Sequence, residues 1–215
     1  MITGYILAFA STLCVAGVPG DRYGRKKLLL LGIVIFAAVS VWTGFGQNAT
    51  EVVIARIALG LGGGLLMPLA TAVVSHASVR RNLARDIALL TGVATLGEAF
   101  GPVLGGVLAE YLNWRWIFFA NIPICAIAFV MVSLFASESK DPEAGGRLDV
   151  VGIILLTIAL AAVSIGIDRI PHWETWAWVS LTGGGIVLLL VFAVFESLIS
   201  FPVIDVRLFA NRDFL

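Results

Sequence analysis

The sequence predicts an all-α membrane protein, a polytopic bundle of about seven transmembrane helices. Three observations carry that expectation. Hydrophobic residues make up 60% of the 215 residues and charged residues only 13%, against about 25% charged in soluble domains. The apolar residues fall in long runs, each near the roughly 20 residues that a helix needs to cross a bilayer. The runs lack the period-2 alternation of a barrel strand, and only helices or closed barrels satisfy every backbone group in lipid. The 14 basic and 14 acidic residues balance to zero, and no basic nucleic-acid face stands out, so membrane lipid is the expected surrounding and nucleic acid is not an expected partner.

The first run, 2–19, shows no small-residue cleavage site and is expected to stay as a helix, not to be a signal peptide. It leads into Gly17-Val18-Pro19-Gly20-Asp21-Arg22-Tyr23-Gly24-Arg25-Lys26-Lys27. A helix that leaves the bilayer must turn and re-enter. The glycines permit the turn, and Arg22, Arg25, Lys26 and Lys27 hold it on the cytoplasmic side. Asp21 sits near a helix end, where it can pair with Arg25 or face the N-terminus of another helix. Pro19 is expected to distort the helix end.

The second run covers 28–46 and the third 51–74. Arg56 is the one basic residue deep within a span. Burying a cation in a membrane costs at least roughly 2.5–3.5 kcal/mol, so Arg56 is expected to face a cavity or a partner, or else to snorkel to the outer interface near Glu51. Gly60, Gly62, Gly63 and Gly64 follow it and let helices approach closely. The fourth run, 87–109, holds Gly97-Glu98-Ala99-Phe100-Gly101-Pro102-Val103-Leu104-Gly105-Gly106. Gly97, Gly101 and Gly105 recur every four residues and make a groove for a neighbouring helix. Pro102 removes a backbone donor and is expected to bend the helix. Glu98, a carboxyl inside a span, is a proton-exchange candidate, unless Thr95 or Arg56 satisfies it as a structural residue.

The fifth run, 115–136, opens on Trp114-Arg115-Trp116-Ile117-Phe118-Phe119-Ala120-Asn121-Ile122-Pro123. The polar stretch 137–149 then reads as a cytoplasmic linker between residues 1–136 and residues 150–215, with Asp149 placed to cap the next helix. Runs 151–168 and 178–199 complete the set. Arg80, Arg81, Arg85, Lys140, Arg147, Arg207 and Arg212 share alternate loops with the first basic cluster, and the opposite loops hold only Arg115 and Arg169. This asymmetry places Met1 outside and Leu215 in the cytoplasm. Trp42, Trp114, Trp116, Trp173, Trp176 and Trp178 fall at or near outer ends, as an interfacial belt would.

Cys14 and Cys125 lie inside apolar runs and read as small buried hydrophobes. His76 and His172 lack metal-ligand spacing, so no metal or cofactor is expected. The sequon Asn48-Ala49-Thr50 lies too near the membrane for an expected use, and Gly183-Gly184-Gly185 lacks the Lys-Ser/Thr of a phosphate loop. With no nucleophile–base pair in view, an enzyme is not expected.

Several of these stretches together resemble the major facilitator superfamily of transporters. The basic stretch is similar to the loop between that family's second and third helices, Gly-x-x-x-Asp-Arg-x-Gly-Arg-Lys, although Pro19 stands where the family usually has Leu. The likeness implies that Gly17, Asp21, Arg22, Gly24, Arg25 and Lys26 form a cytoplasmic gating loop. Arg56-Ile57-Ala58-Leu59-Gly60 is similar to the fourth-helix pattern Arg-x-x-Gln-Gly, with Leu59 replacing Gln, and implies proton coupling through Arg56. Gly97, Gly101, Pro102, Gly105 and Gly106 match the fifth-helix pattern Gly-x-x-x-Gly-Pro-x-x-Gly-Gly of the antiporter branch, with Glu98 inside it. Trp114 to Pro123, and Pro202-Val203-Ile204-Asp205-Val206-Arg207-Leu208-Phe209, look like the fourteen-helix drug:proton antiporters, whose two extra helices lie between two six-helix halves.

The resemblance covers nearly the whole chain, from the family's second helix to just before its ninth. It implies a partial major facilitator fold, with the first helix and the second bundle expected to be missing. It also implies a cell-membrane carrier that exports small lipophilic or cationic molecules against protons by alternating access, without ATP. Two other readings stand beside it: a metabolite carrier on the same fold, and a truncated membrane fragment that transports nothing.

Overall fold

The computed structural model describes residues 2–140, 149–168, 170 and 173–199. Met1, Arg147, Arg169, His172, most of the 137–149 linker and the stretch 200–215, with Pro202 to Phe209 and Arg212, lie outside the described residues. Every element among the described residues is a helix: α1 Ile2–Val15, α2 Gly17–Tyr23, α3 Arg25–Phe45, α4 Ala49–Ala77, α5 Leu83–Tyr111, α6 Trp116–Phe119, α7 Asn121–Phe135, α8 Val150–Asp168 and α9 Thr175–Leu198. All seven expected spans fall on them. Five stretches are long and apolar enough to cross a membrane, namely Arg25–Phe45, Ala49–Ala77, Leu83–Tyr111, Trp116–Phe135 and Thr175–Leu198. Shorter apolar stretches cover Gly4–Leu13 and Ile154–Ile167.

Two of the expected spans are interrupted, each four residues before a proline. The first breaks between Val15 and Gly17, and the fifth between Phe119 and Asn121. Pro19 and Pro123 stand four residues beyond Val15 and Phe119. Each lacks the N–H that those carbonyls need, and each ring crowds the carbonyl four residues back. Pro68 and Pro102, by contrast, lie inside continuous helices.

Helix α4 packs on both α1 and α3, and α3 also packs on α7. Leu29 and Ile33 of α3, Leu69 and Val73 of α4, and Cys125 of α7 form one buried cluster. Cys125 is thus a small buried hydrophobe, as its sequence setting indicates. The α1–α4 contact is made backbone to backbone. A Cβ at Gly60 would clash with the Tyr5 carbonyl and lie 2.9 Å from Ala8 Cβ, and one at Gly64 would lie 2.5 Å from the Phe9 carbonyl. Lipid tails offer no hydrophobic drive between helices, so such close approach is where a membrane bundle gains its packing. Large apolar side chains such as Leu134, Phe135 and Leu190 are left exposed.

Helices α8 and α9 form a hairpin, and α8 lies along α1. Asp149 caps α8 as expected, its Oδ1 accepting the Gly152 N–H at 2.9 Å. Helix α5 differs from all of these. It touches only α4 and α6 and has no buried residue.

The orientation is testable where the structure exposes a residue at each end. Asn48 and Lys140 are both exposed. In a chain with Cys14 and Cys125 changed to Ser, a membrane-impermeant maleimide added to intact cells should label Asn48→Cys and spare Lys140→Cys until the membrane is opened. Labelling of Lys140→Cys in intact cells overturns the orientation.

Candidate functional site

The basic stretch is more helical than a loop. Its first half is α2, and the turn is confined to Gly24, the only residue between α2 and α3. Gly24 has φ +112°, the one positive φ among the described residues, and only glycine adopts it without strain. Across this turn Asp21 and Arg25 meet. Arg25 Nε donates to Asp21 Oδ1 at 2.7 Å, the pairing that their spacing allows. Gly20 sits over Leu69 of the core cluster, so the turn is seated on α4.

Arg25, Lys26 and Lys27 form the first turn of α3. Cations are unfavourable at a helix N-terminus, where the macrodipole is positive and the first N–H groups have no partner in their own helix. Two residues that the sequence reading did not select correct this. The Ser139 carbonyl accepts the Arg25 N–H at 3.1 Å, and Glu138 Oε1 accepts the Lys26 N–H at 3.1 Å. Lys26 in turn donates its ammonium to the Ser133 carbonyl at 2.9 Å, in the last turn of α7.

Arg56 lies in the N-terminal part of α4. The turn before it is fixed by Glu51, which accepts the Gln47 N–H and the Asn48 side-chain amide, each at 2.9 Å. The Arg56 guanidinium stands 5.3 Å from the Phe118 ring centroid, a cation–π contact. It lines a cavity of about 310 Å³ with Gly46, Gln47, Asn48, Val52, Trp114 and Phe118. Its Nε is buried and has no hydrogen-bond partner among the described residues. Arg56 therefore faces a cavity near the N-terminal end of α4, the first of the two expectations for it. A buried donor of this kind calls for an acceptor. Arg115 closes the same region by donating to the Gly46 carbonyl at 3.2 Å.

The α5 stretch departs most from expectation. Gly97, Gly101 and Gly106 have open space where a Cβ would stand, and Gly105 meets only Ile117 Cδ1 at 4.0 Å. The groove exists, but none of the described helices lies in it. Glu98 is exposed, and neither Thr95 nor Arg56 satisfies it. Thr95 donates to its own helix at the Thr91 carbonyl, and no ion pair joins Arg56 to Glu98. The structure thus brings Asp21, Gly24, Arg25 and Lys26 together, and leaves Arg56 and Glu98 apart. A buried acid near the end of α9 went unselected. Glu196 of α9 is only 2% exposed, and its Oε1 would lie 2.8 Å from a Cβ at Gly152. A lone carboxyl in the apolar run of α9 was its signal.

The profile of the Major Facilitator Superfamily matches residues 1–203. Among curated proteins the chain is similar to the multidrug transporter protein MdtP of Bacillus subtilis, with 26% identity over 100% of this chain and 40% of that protein. It is 32% identical to the multidrug resistance protein B homolog of Mycobacterium tuberculosis, over 98% of this chain and 40% of that protein. It is 31% identical to the tetracenomycin C resistance and export protein of Streptomyces glaucescens, over 97% of this chain and 39% of that protein. The chain spans about 40% of the length of these relatives.

Proposed function

The chain belongs to the major facilitator superfamily, is a multi-pass protein of the cell membrane, and from that premise we propose that it supplies the first-bundle part of a proton-coupled exporter of small lipophilic or cationic molecules. In this reading the Asp21–Arg25 pair across Gly24 works as the cytoplasmic gate. Arg56 and Glu98 are two separate proton-coupling candidates, and the α5 glycine face is the surface against which a second bundle rocks. The observation that carries the reading is α5 itself. A 29-residue helix with no buried residue presents Gly97, Gly101, Gly106 and the Glu98 carboxyl to open space. A glycine face in a membrane is useful only where another helix comes close.

The experiment compares the 215-residue chain with the same chain extended by the family's remaining helices, in cells loaded with a fluorescent lipophilic cation. The chain alone is expected to export nothing, because the path lies between two bundles. The extended carrier should export dye when a proton gradient is present. Glu98→Gln keeps the shape and removes the titratable proton, so it should abolish gradient-driven export while dye still binds. Full gradient-driven export by Glu98→Gln removes Glu98 from the coupling role. Export by the chain alone removes the two-bundle path.

A further inference from the structure

We infer that Glu138 is a positioning residue for the basic turn, acting with Lys26 as a reciprocal clasp that fastens the end of α7 and the start of the linker to the start of α3. The two helix ends complement each other. The N-terminus of α3 carries unpaired N–H groups and positive dipole, and it receives the Glu138 carboxylate at the Lys26 N–H, 3.1 Å away. The C-terminal turn of α7 carries unpaired carbonyls and negative dipole, and it receives the Lys26 ammonium at Ser133, 2.9 Å away. Each end is thus met by a charge of the favourable sign supplied from the other. The Ser139 carbonyl takes the neighbouring Arg25 N–H, and Ser139 is only 5% exposed.

The glycine at position 24 also leaves room for the clasp. Besides its positive φ, a Cβ there would lie 2.7 Å from Glu138 Oε1 and 2.9 Å from its Cδ. A side chain at position 24 would displace the carboxylate from the Lys26 N–H. Arg25 is held at its backbone by Ser139 and at its side chain by Asp21. The clasp therefore sets where the Asp21–Arg25 pair stands. It also anchors the first residues of the linker, Glu138 and Ser139.

The functional consequence rests on the transport reading above; the clasp itself does not. Amide hydrogen exchange of the 215-residue chain in lipid nanodiscs tests the clasp directly. The Arg25 and Lys26 amides are first-turn amides, which exchange fast unless something outside their helix binds them. They should be protected in the native chain. Glu138→Ala should speed exchange at Lys26 by about tenfold, the scale of one lost charge-assisted hydrogen bond, and Glu138→Gln, which keeps an acceptor oxygen, by less. Core amides of α3 around Ile33 should keep their protection, which separates loss of the clasp from unfolding. Fast exchange at Lys26 in the native chain, or no change in Glu138→Ala, overturns the clasp. In the extended carrier Glu138→Ala should lower kcat and leave KM within about twofold, with Glu138→Gln restoring part of kcat, as expected of a residue that orders a turn without touching substrate. Native kcat in Glu138→Ala overturns the positioning role. A carrier that exports nothing with Glu138 intact counts against the transport reading alone, and the exchange result still decides the clasp.

Discussion

Gly60→Val and Gly64→Val are expected to be the most damaging single changes in the folded chain. Both glycines lie on α4 where it meets α1, and at both the first obstacle is backbone. A Cβ at Gly60 runs into the Tyr5 carbonyl and stands 3.1 Å from the Phe9 nitrogen. At Gly64 it stands 2.5 Å from the Phe9 carbonyl and 2.8 Å from Thr12 Cβ. A side-chain rotamer change cannot move a carbonyl, so α1 must shift as a whole. Overpacking typically costs about 1–3 kcal/mol where side chains can adjust, and these sites belong at or beyond the upper end. The change should appear as loss of monodisperse protein in detergent and a lower unfolding temperature. Gly63→Ala is the control: its nearest atoms, Phe9 Cδ2 and the Tyr5 hydroxyl, stand at 3.4 Å, so it should be close to neutral. Equal stability of Gly60→Val and the native chain would show that α1 does not seat on α4 as described.

Gly101→Leu is expected to do the reverse, leaving the chain intact and stopping the extended carrier. Nothing stands within 4 Å of a Cβ at position 101. Leucine is also the better helix former, by about 0.8–1.0 kcal/mol less a few tenths, so the unfolding temperature of the 215-residue chain should hold or rise slightly. In the extended carrier the same leucine would occupy a face that the proposed second bundle must approach. Export should then fall to background at native expression. Native export would mean that the α5 face faces lipid throughout the cycle. A fall in the stability of the chain alone would mean that a described helix already covers the face. Measuring both proteins separates a glycine used for folding from one used for function, which their identical chemistry hides.

The parts of the candidate site that were readable in the sequence are those set by local geometry. Asp21 and Arg25 are four residues apart, which puts them on one helical face in reach of each other, and the pair is present. Asp149 precedes an apolar run and caps it. Pro19 was expected to distort the first span, and the break falls at the carbonyl that it leaves without a donor. Glu138 and Ser139 were not readable as partners of Arg25 and Lys26. More than a hundred residues separate them from the turn, and no local rule connects a linker to a helix start.

The glycines mark the same boundary. Composition, run length and the distribution of arginine and lysine determined by themselves that this chain is a set of membrane helices, because the bilayer fixes span length and insertion energy without reference to neighbours. Spacing alone gave Gly60–Gly64 and Gly97–Gly106 the same meaning, a face for close approach. Only the tertiary structure decided that the first stretch is filled, by α1 at Gly60 and Gly64 and by α3 at Gly62, and the second is left open. The physical reason is that a glycine stripe specifies how near a helix can come, not which helix comes. That choice depends on the summed packing of all the segments present, and it is made only when they assemble.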